Sequence, residues 1–154
     1  MKLVYAGDRL LAGDGVTIDV LHPPPEGVVG TDNANCVVLS VEYCGKKILL
    51  TGDLAPPGMD MVMNGDPVAY DVLQAPHHGS TYSEPENFAS WTTPKFAIIC
   101  GSNTDGRIAG PIYASHGVTV MNTAEYGAVT VTIDSAGKMG LETFRRPRSV
   151  KHRT

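Results

Sequence analysis

Three short runs hold residue types able to do chemistry: Thr51-Gly52-Asp53, Pro76-His77-His78-Gly79-Ser80 and Gly101-Ser102-Asn103. A carboxylate and imidazoles are ligands that zinc, manganese or iron accept, and the two oxygens of a carboxylate can bridge a pair of ions. Metal-assisted hydrolysis is the natural chemistry of such a set. Adjacent His77 and His78 cannot both face one ion on extended backbone, because successive side chains point to opposite faces. One is then the ligand, and the other orients it, touches substrate or moves a proton; the sequence leaves open which is which. Gly79 permits a sharp turn, and Ser80 with the amides after it offers hydrogen bonds to a phosphate or carboxylate oxygen.

The elements that must position these runs follow from the hydrophobic pattern. Strands over 47–51, 70–75 and 96–100 alternate with helices, one opened by Ala55-Pro56-Pro57-Gly58 and one by Ser83-Glu84-Pro85-Glu86, whose serine reads as the cap. Such a β-α-β-α-β series packs as parallel strands with right-handed crossovers. The carboxyl ends of its strands share one edge of the sheet, where open α/β sheets place their sites. Asp53, His77 and His78 should therefore share a crevice.

Upstream, a strand over 16–21 ends at His22-Pro23-Pro24-Pro25 and reads as an edge or entry strand. Runs 36–43 and 47–51 flank Cys44-Gly45-Lys46 as a hairpin. Downstream, 118–121, 128–133 and 139–144 read as strands, the last two joined by Asp134-Ser135-Ala136-Gly137-Lys138. The class is α/β, a mixed sheet with flanking helices.

The chain of 154 residues is long enough for one domain with a real core, and its 42% hydrophobic and 18% charged content excludes wholesale disorder. The 17 Gly and 11 Pro predict many short elements. Cys36, Cys44 and Cys100 contain no C-x-x-C pair, so neither a disulfide framework nor a thiolate zinc site is expected. No run approaches the roughly 20 apolar residues of a membrane span. Residues 1–144 carry 7 basic against 16 acidic groups, whereas 145–154 hold Arg145, Arg146, Arg148, Lys151 and Arg153. The folded part is no broad platform for nucleic acid, and a polyanionic substrate needs metal ions or the basic tail.

The remaining candidates are weighed against plainer roles. His22, beside three prolines, reads as a loop residue, and His116 before Gly117 as a helix C-terminal residue. Asp32-Asn33-Ala34-Asn35 reads either as a plain turn or as a source of amides pointing across the hairpin toward Asp53.

Taken together, Asp32-Asn33-Ala34-Asn35-Cys36-Val37-Val38-Leu39, Leu49-Leu50-Thr51-Gly52-Asp53 and Ala75-Pro76-His77-His78-Gly79-Ser80 resemble the metallo-β-lactamase-like domain of the ComEC family of DNA-internalisation competence proteins. The likeness extends from Ala6-Gly7-Asp8 through Leu21-His22-Pro23-Pro24 to Tyr126-Gly127-Ala128-Val129, nearly the whole chain. It implies an αββα sandwich with up to two metal ions, commonly zinc, manganese being the alternative. It implies phosphodiester hydrolysis of the DNA strand that is not taken up, and a membrane-attached, extracytoplasmic setting if the chain is part of a full ComEC-like protein; the residues as given read as a soluble chain. Carried over, Asp53 matches the bridging aspartate and one of His77 and His78 the last histidine ligand. Asp53 and His78 are assigned to catalysis, Asp53, His77 and His78 to the metal, and Ser80, Asn35 and Asn103 to substrate.

The H-x-H-x-D-H string of that superfamily's amino-terminal half does not occur here, and Ile108-Ala109-Gly110-Pro111-Ile112 stands where the family tends to carry His-Pro-His. Residues 1–144 are thus expected to form a carboxyl-terminal half, with 145–154 as a basic tail. An apolar sheet face should then seek the amino-terminal half, or a second copy. The competing expectation is a degenerate binding or assembly module that keeps the sheet without the chemistry; a lactonase or another phosphoesterase on the same fold is a further one.

Overall fold

A computed structural model describes residues 3–145 of the chain. Seven strands, β1 (Arg9–Leu11), β2 (Thr17–His22), β3 (Val38–Tyr43), β4 (Lys46–Leu50), β5 (Val72–Gln74), β6 (Phe96–Ile99) and β7 (Thr119–Asn122), lie side by side in sequence order. The first three pairings are antiparallel and the last three parallel. The fold is therefore α/β with a mixed sheet, as the alternating pattern required.

Local chemistry explains the switch of direction. Cys44 and Gly45 at φ 46° and 74° supply the paired left-handed residues of a tight hairpin, so β3 and β4 run antiparallel. After β4 each return passes through a helix: α1 (Gly58–Met63), α2 (Pro85–Thr92) and α3 (Asn103–Ser115) precede β5, β6 and β7. Helical crossovers leave those strands parallel.

The core lies between this sheet and its helices. Val38, Leu49, Leu73, Ala97 and Ile99 from the strands meet Met59, Val62, Phe88, Trp91, Ala109 and Tyr113 from the helices. Trp91 also donates its indole N–H to the Gly65 carbonyl at 3.1 Å, so its polar edge is satisfied. A short helix α4 (Thr123–Tyr126) leads into the hairpin β8 (Val129–Ile133) and β9 (Met139–Thr143), which forms its own two-stranded sheet.

Three expectations change. The strand over 16–21 is not at the edge, because β1 pairs outside it; β1 has only three residues and no clear alternation. His22 is not a loop residue: it ends β2, is 1% exposed, and its Nε2 lies 2.8 Å from the Ala34 carbonyl oxygen. Ser83 does not cap α2. Its hydroxyl is turned back to the Ser80 carbonyl, and Glu84, at φ 42°, takes the position before the helix with no side-chain cap. Of the basic tail, only Arg145 belongs to the described residues; its amide donates to the Tyr126 carbonyl at 2.7 Å, and residues 146–154 lie outside them.

Candidate functional site

The loop after β4 and the loop after β5 are laced together. Thr51, fully buried, donates its hydroxyl to the Gln74 carbonyl at 2.8 Å, and the Gly52 amide donates to Gln74 Oε1 at 3.3 Å. In return the Gly52 carbonyl accepts from the His77 amide at 3.1 Å. The backbone at Gly52 turns at φ 54°, in the left-handed region glycine tolerates, and this turn brings Asp53 to the rim.

Across the rim the chain does something the extended reading did not allow. His77 (φ 46°, ψ 47°) and His78 (φ 59°, ψ 18°) both sit in the left-handed region within a 3₁₀ turn over Pro76–Gly79. Each such non-glycine residue costs on the order of 1–3 kcal/mol, and strain of this kind collects at functional sites. Gly79 continues the turn at φ 78°, where a Cβ would come within 3.0 Å of Ile99 and 3.2 Å of Ala109.

The turn places His78, rather than His77, against Asp53. His78 Nε2 stands 3.2 Å from Asp53 Oδ1, and its Nδ1 lies 2.6 Å from the Cys100 carbonyl at the end of β6. A carbonyl can only accept, so Nδ1 carries the proton. Nε2 and the Asp53 carboxylate, both about half exposed, then form an ion pair when Nε2 is protonated as well. Two ligands of a tetrahedral ion bonded at about 2.0–2.1 Å lie roughly 3.3–3.4 Å apart, so the separation suits a shared zinc. The carbonyl contact on the far nitrogen is the orienting arrangement that metal-ligating histidines use.

His77 occupies a different niche. Its ring centroid is 6.3 Å from that of His78, its Nδ1 is buried with no hydrogen-bond partner among the described residues, and its Nε2 lies 3.5 Å from Asn33 Nδ2. That ring nitrogen is a buried polar atom without a protein partner beside the Asp53–His78 pair. Asp53 and His78 thus form a two-residue cluster at the rim, with His77 standing beside it. Among the described residues no group of three or more His, Cys, Asp and Glu is placed to hold an ion, so the remaining ligands are not in this set.

The other expected residues divide. The segment before β3 does reach the rim, but through Asn33: its carbonyl accepts the Ala55 amide at 3.2 Å and its side chain meets His77. Asn35 is turned away, its amide group closing two 2.7 Å hydrogen bonds on the Val28 backbone. Ser80 stands beside the histidine turn, where its Oγ accepts the Tyr82 amide at 3.2 Å. Asn103 starts α3 and lines a cleft. His116 ends α3, as expected, and its Nε2 pairs with Glu86 on α2 at 2.8 Å, which keeps it out of the site.

Three contributors carry roles that the sequence reading did not assign. Gly101 lets the β6 loop approach, since a Cβ there would lie 2.6 Å from the His78 carbonyl oxygen. The Cys100 carbonyl orients His78, and no sequence signal marks a backbone acceptor. Asp105 was legible: Ser102-x-x-Asp105 has capping-box spacing, and the box is formed. Hydrogen bonds from the Ser102 hydroxyl and then its amide hold the Asp105 carboxyl below the ordinary range.

No protein-family model matches the chain. It is 33% identical over 133 residues to ComE operon protein 3 of Bacillus subtilis strain 168, covering 82% of this chain and 17% of that protein. It is 28% identical over 132 residues to Competence protein ComA of Neisseria gonorrhoeae, covering 80% of this chain and 19% of that one. The chain therefore spans less than a fifth of the length of either curated relative. Together these similarities support a competence-protein family.

Proposed function

We propose that this chain serves DNA uptake in competence as the carboxyl-terminal half of a metallo-β-lactamase-like phosphodiesterase, with Asp53 and His78 among the ligands of its metal centre. The observation that carries the proposal is the Asp53–His78 pair, a carboxylate oxygen and an imidazole nitrogen 3.2 Å apart with the far imidazole nitrogen committed to a carbonyl. The competence relatives support the setting.

Imidazole with carboxylate selects zinc, or manganese, over the alkaline-earth ions. An ion held there supplies Lewis-acid polarisation of a phosphodiester. The chain's own residues do the rest. Asp53 contributes negative charge at the rim. Cys100 and Gly101 fix the direction of His78. Asn33 and the buried face of the turn hold His77, with its Nε2 toward the Asn33 amide.

A second reading, a non-catalytic assembly module, is favoured by the lack of a three-ligand group among the described residues. On the hydrolase reading the remaining ligands come from a facing half or another copy of the chain. The half-exposed Leu50 on β4, paired with Leu39 on β3, belongs to the apolar sheet face such a partner would cover.

Equilibrium dialysis against zinc or manganese, followed by elemental analysis, separates the two readings. The wild-type chain should retain metal, and Asp53→Ala and His78→Ala should each lose it. Cleavage of a labelled oligonucleotide by the longest natural polypeptide carrying these residues should disappear with the same substitutions. Equal metal content in all three proteins would leave the assembly reading standing.

A further inference from the structure

A cleft of about 1140 Å³ lies between α3 on one side and α4 with Arg145, just past β9, on the other, with Asn103 at its lining. Its polar lining comes from Asn103, Arg107, Asn122, Glu125, Tyr126 and Arg145. The volume exceeds the roughly 300–1,000 Å³ of pockets for a single small ligand, which suits an extended one.

The distribution of positive charge singles this cleft out. Among the described residues Arg9 is paired with Asp19, Lys46 and Lys95 with Asp71, and Lys47 with Glu42. Arg107, Lys138 and Arg145 enter no ion pair among those residues, and two of the three line the cleft. In a body with 7 basic against 16 acidic groups over residues 1–144, that placement makes a local anion-attracting channel. Glu125 is the one carboxylate in its lining.

The cleft is also built rigidly and joined to the rim. Asn122, 9% exposed, donates to the Ser102 carbonyl at 3.0 Å and accepts the Ala124 amide at 2.9 Å, tying α3, β7 and α4 together. A Cβ on Gly106 would overlap that Asn122 amide, so the glycine sets how closely helix and strand approach. Ser102 directly follows Gly101, which abuts His78. On the other wall the Tyr126 carbonyl accepts the Arg145 amide, and the Arg145 stem passes 3.4 Å from where a Gly127 Cβ would stand.

The geometry points to this cleft as the seat of a single-stranded DNA segment, with Arg107 and Arg145 on successive phosphates and Tyr126 as a stacking platform for a base. Guanidinium contacts along a backbone with an aromatic face between them are the elements of sequence-tolerant strand binding. The inference rests on the phosphodiesterase reading, to which it adds the surface that holds the strand.

Fluorescence anisotropy with a labelled oligothymidylate, in EDTA so that binding is read without metal, tests it on the full chain. Arg107→Gln with Arg145→Gln should weaken binding at least about tenfold and lower the salt slope by about 1.4, at roughly 0.7 per phosphate contact. Lys138→Gln, off the cleft, should bind like wild type, and Glu125→Gln more tightly. Circular dichroism of each variant verifies folding. The cleft assignment is overturned if the folded double variant binds like Lys138→Gln, or if duplex competes as well as single strand. Asp53→Ala should bind the oligonucleotide normally, and the arginine variants should retain metal. Loss of the metal result therefore removes the hydrolase reading alone, and loss of the anisotropy result removes the cleft alone.

Discussion

His78 Nε2 faces Asp53 Oδ1 at 3.2 Å while Nδ1 of the same ring is held at 2.6 Å by the Cys100 carbonyl, a residue one strand away. Because the carbonyl fixes the proton on Nδ1, the nitrogen turned to Asp53 is the one with a lone pair. The direction of the His78 ring at the rim is thereby set by a backbone oxygen that belongs to neither residue of the pair.

Gly101→Ala tests that arrangement without touching a ligand. Its Cβ would lie 2.6 Å from the His78 carbonyl oxygen, so the β6 loop or the histidine turn must shift. Misplacing an orienting group typically lowers metal affinity about 10–100-fold. The check is zinc affinity by isothermal titration, with near-wild-type circular dichroism; unchanged affinity would show that His78 does not depend on this approach.

Gly58→Ala should destabilise the fold. An added methyl would overlap the Ala34 carbonyl oxygen and stand 2.8 Å from His22 Nε2, breaking a buried hydrogen bond as well as overpacking the junction of α1 with β2. Overpacking alone costs about 1–3 kcal/mol. Urea denaturation should show a lower midpoint with an unchanged slope.

Tyr113→Phe should leave stability unchanged or raise it. The ring is fully buried on α3, and its hydroxyl has no hydrogen-bond partner among the described residues; burial pushes the phenol's pKa up. An unsatisfied buried polar group carries a penalty of about 1–3 kcal/mol, which the substitution removes while keeping the ring. A clear fall in melting temperature would mean that the hydroxyl has a partner.

Asp71 links the start of β5 to pH. Burial acts to raise its pKa, but the Lys95 and Lys47-amide hydrogen bonds and the charges of Lys95 and Lys46 outweigh it, holding the carboxyl below its ordinary value. A depressed folded value contributes stability above the unfolded pKa of about 3.9, and that stability is lost as pH falls through the folded value. Asp71→Asn should therefore cost about 1–3 kcal/mol at neutral pH. The difference from wild type should shrink in acid, as read by denaturation at several pH values.

Much of the scaffold was legible because its signals are local. Cys44-Gly45 announced the β3–β4 hairpin, and the helix and strand periods between 58 and 99 announced parallel strands. Sequence reasoning failed where a residue's role depends on a distant partner. Ser83 has the composition of a helix cap, but Ser80 claims its hydroxyl. Asn35 and Asn33 are interchangeable by type, yet Val28 engages one and His77 the other. His22 beside prolines looks exposed, but Ala34 gives its ring a buried acceptor.

The amino-acid order by itself determined that the strands ending at Asp53 and at the paired histidines would carry those residues to one edge, because helical crossovers leave the strands parallel and their carboxyl ends on the same side. Only the tertiary structure decided that His78 meets Asp53 while His77 turns inward. Two consecutive left-handed residues replace strand alternation there, and the contacts that hold them, the Gly52 carbonyl on the His77 amide and the Cys100 carbonyl on the His78 ring, come from strands on either side.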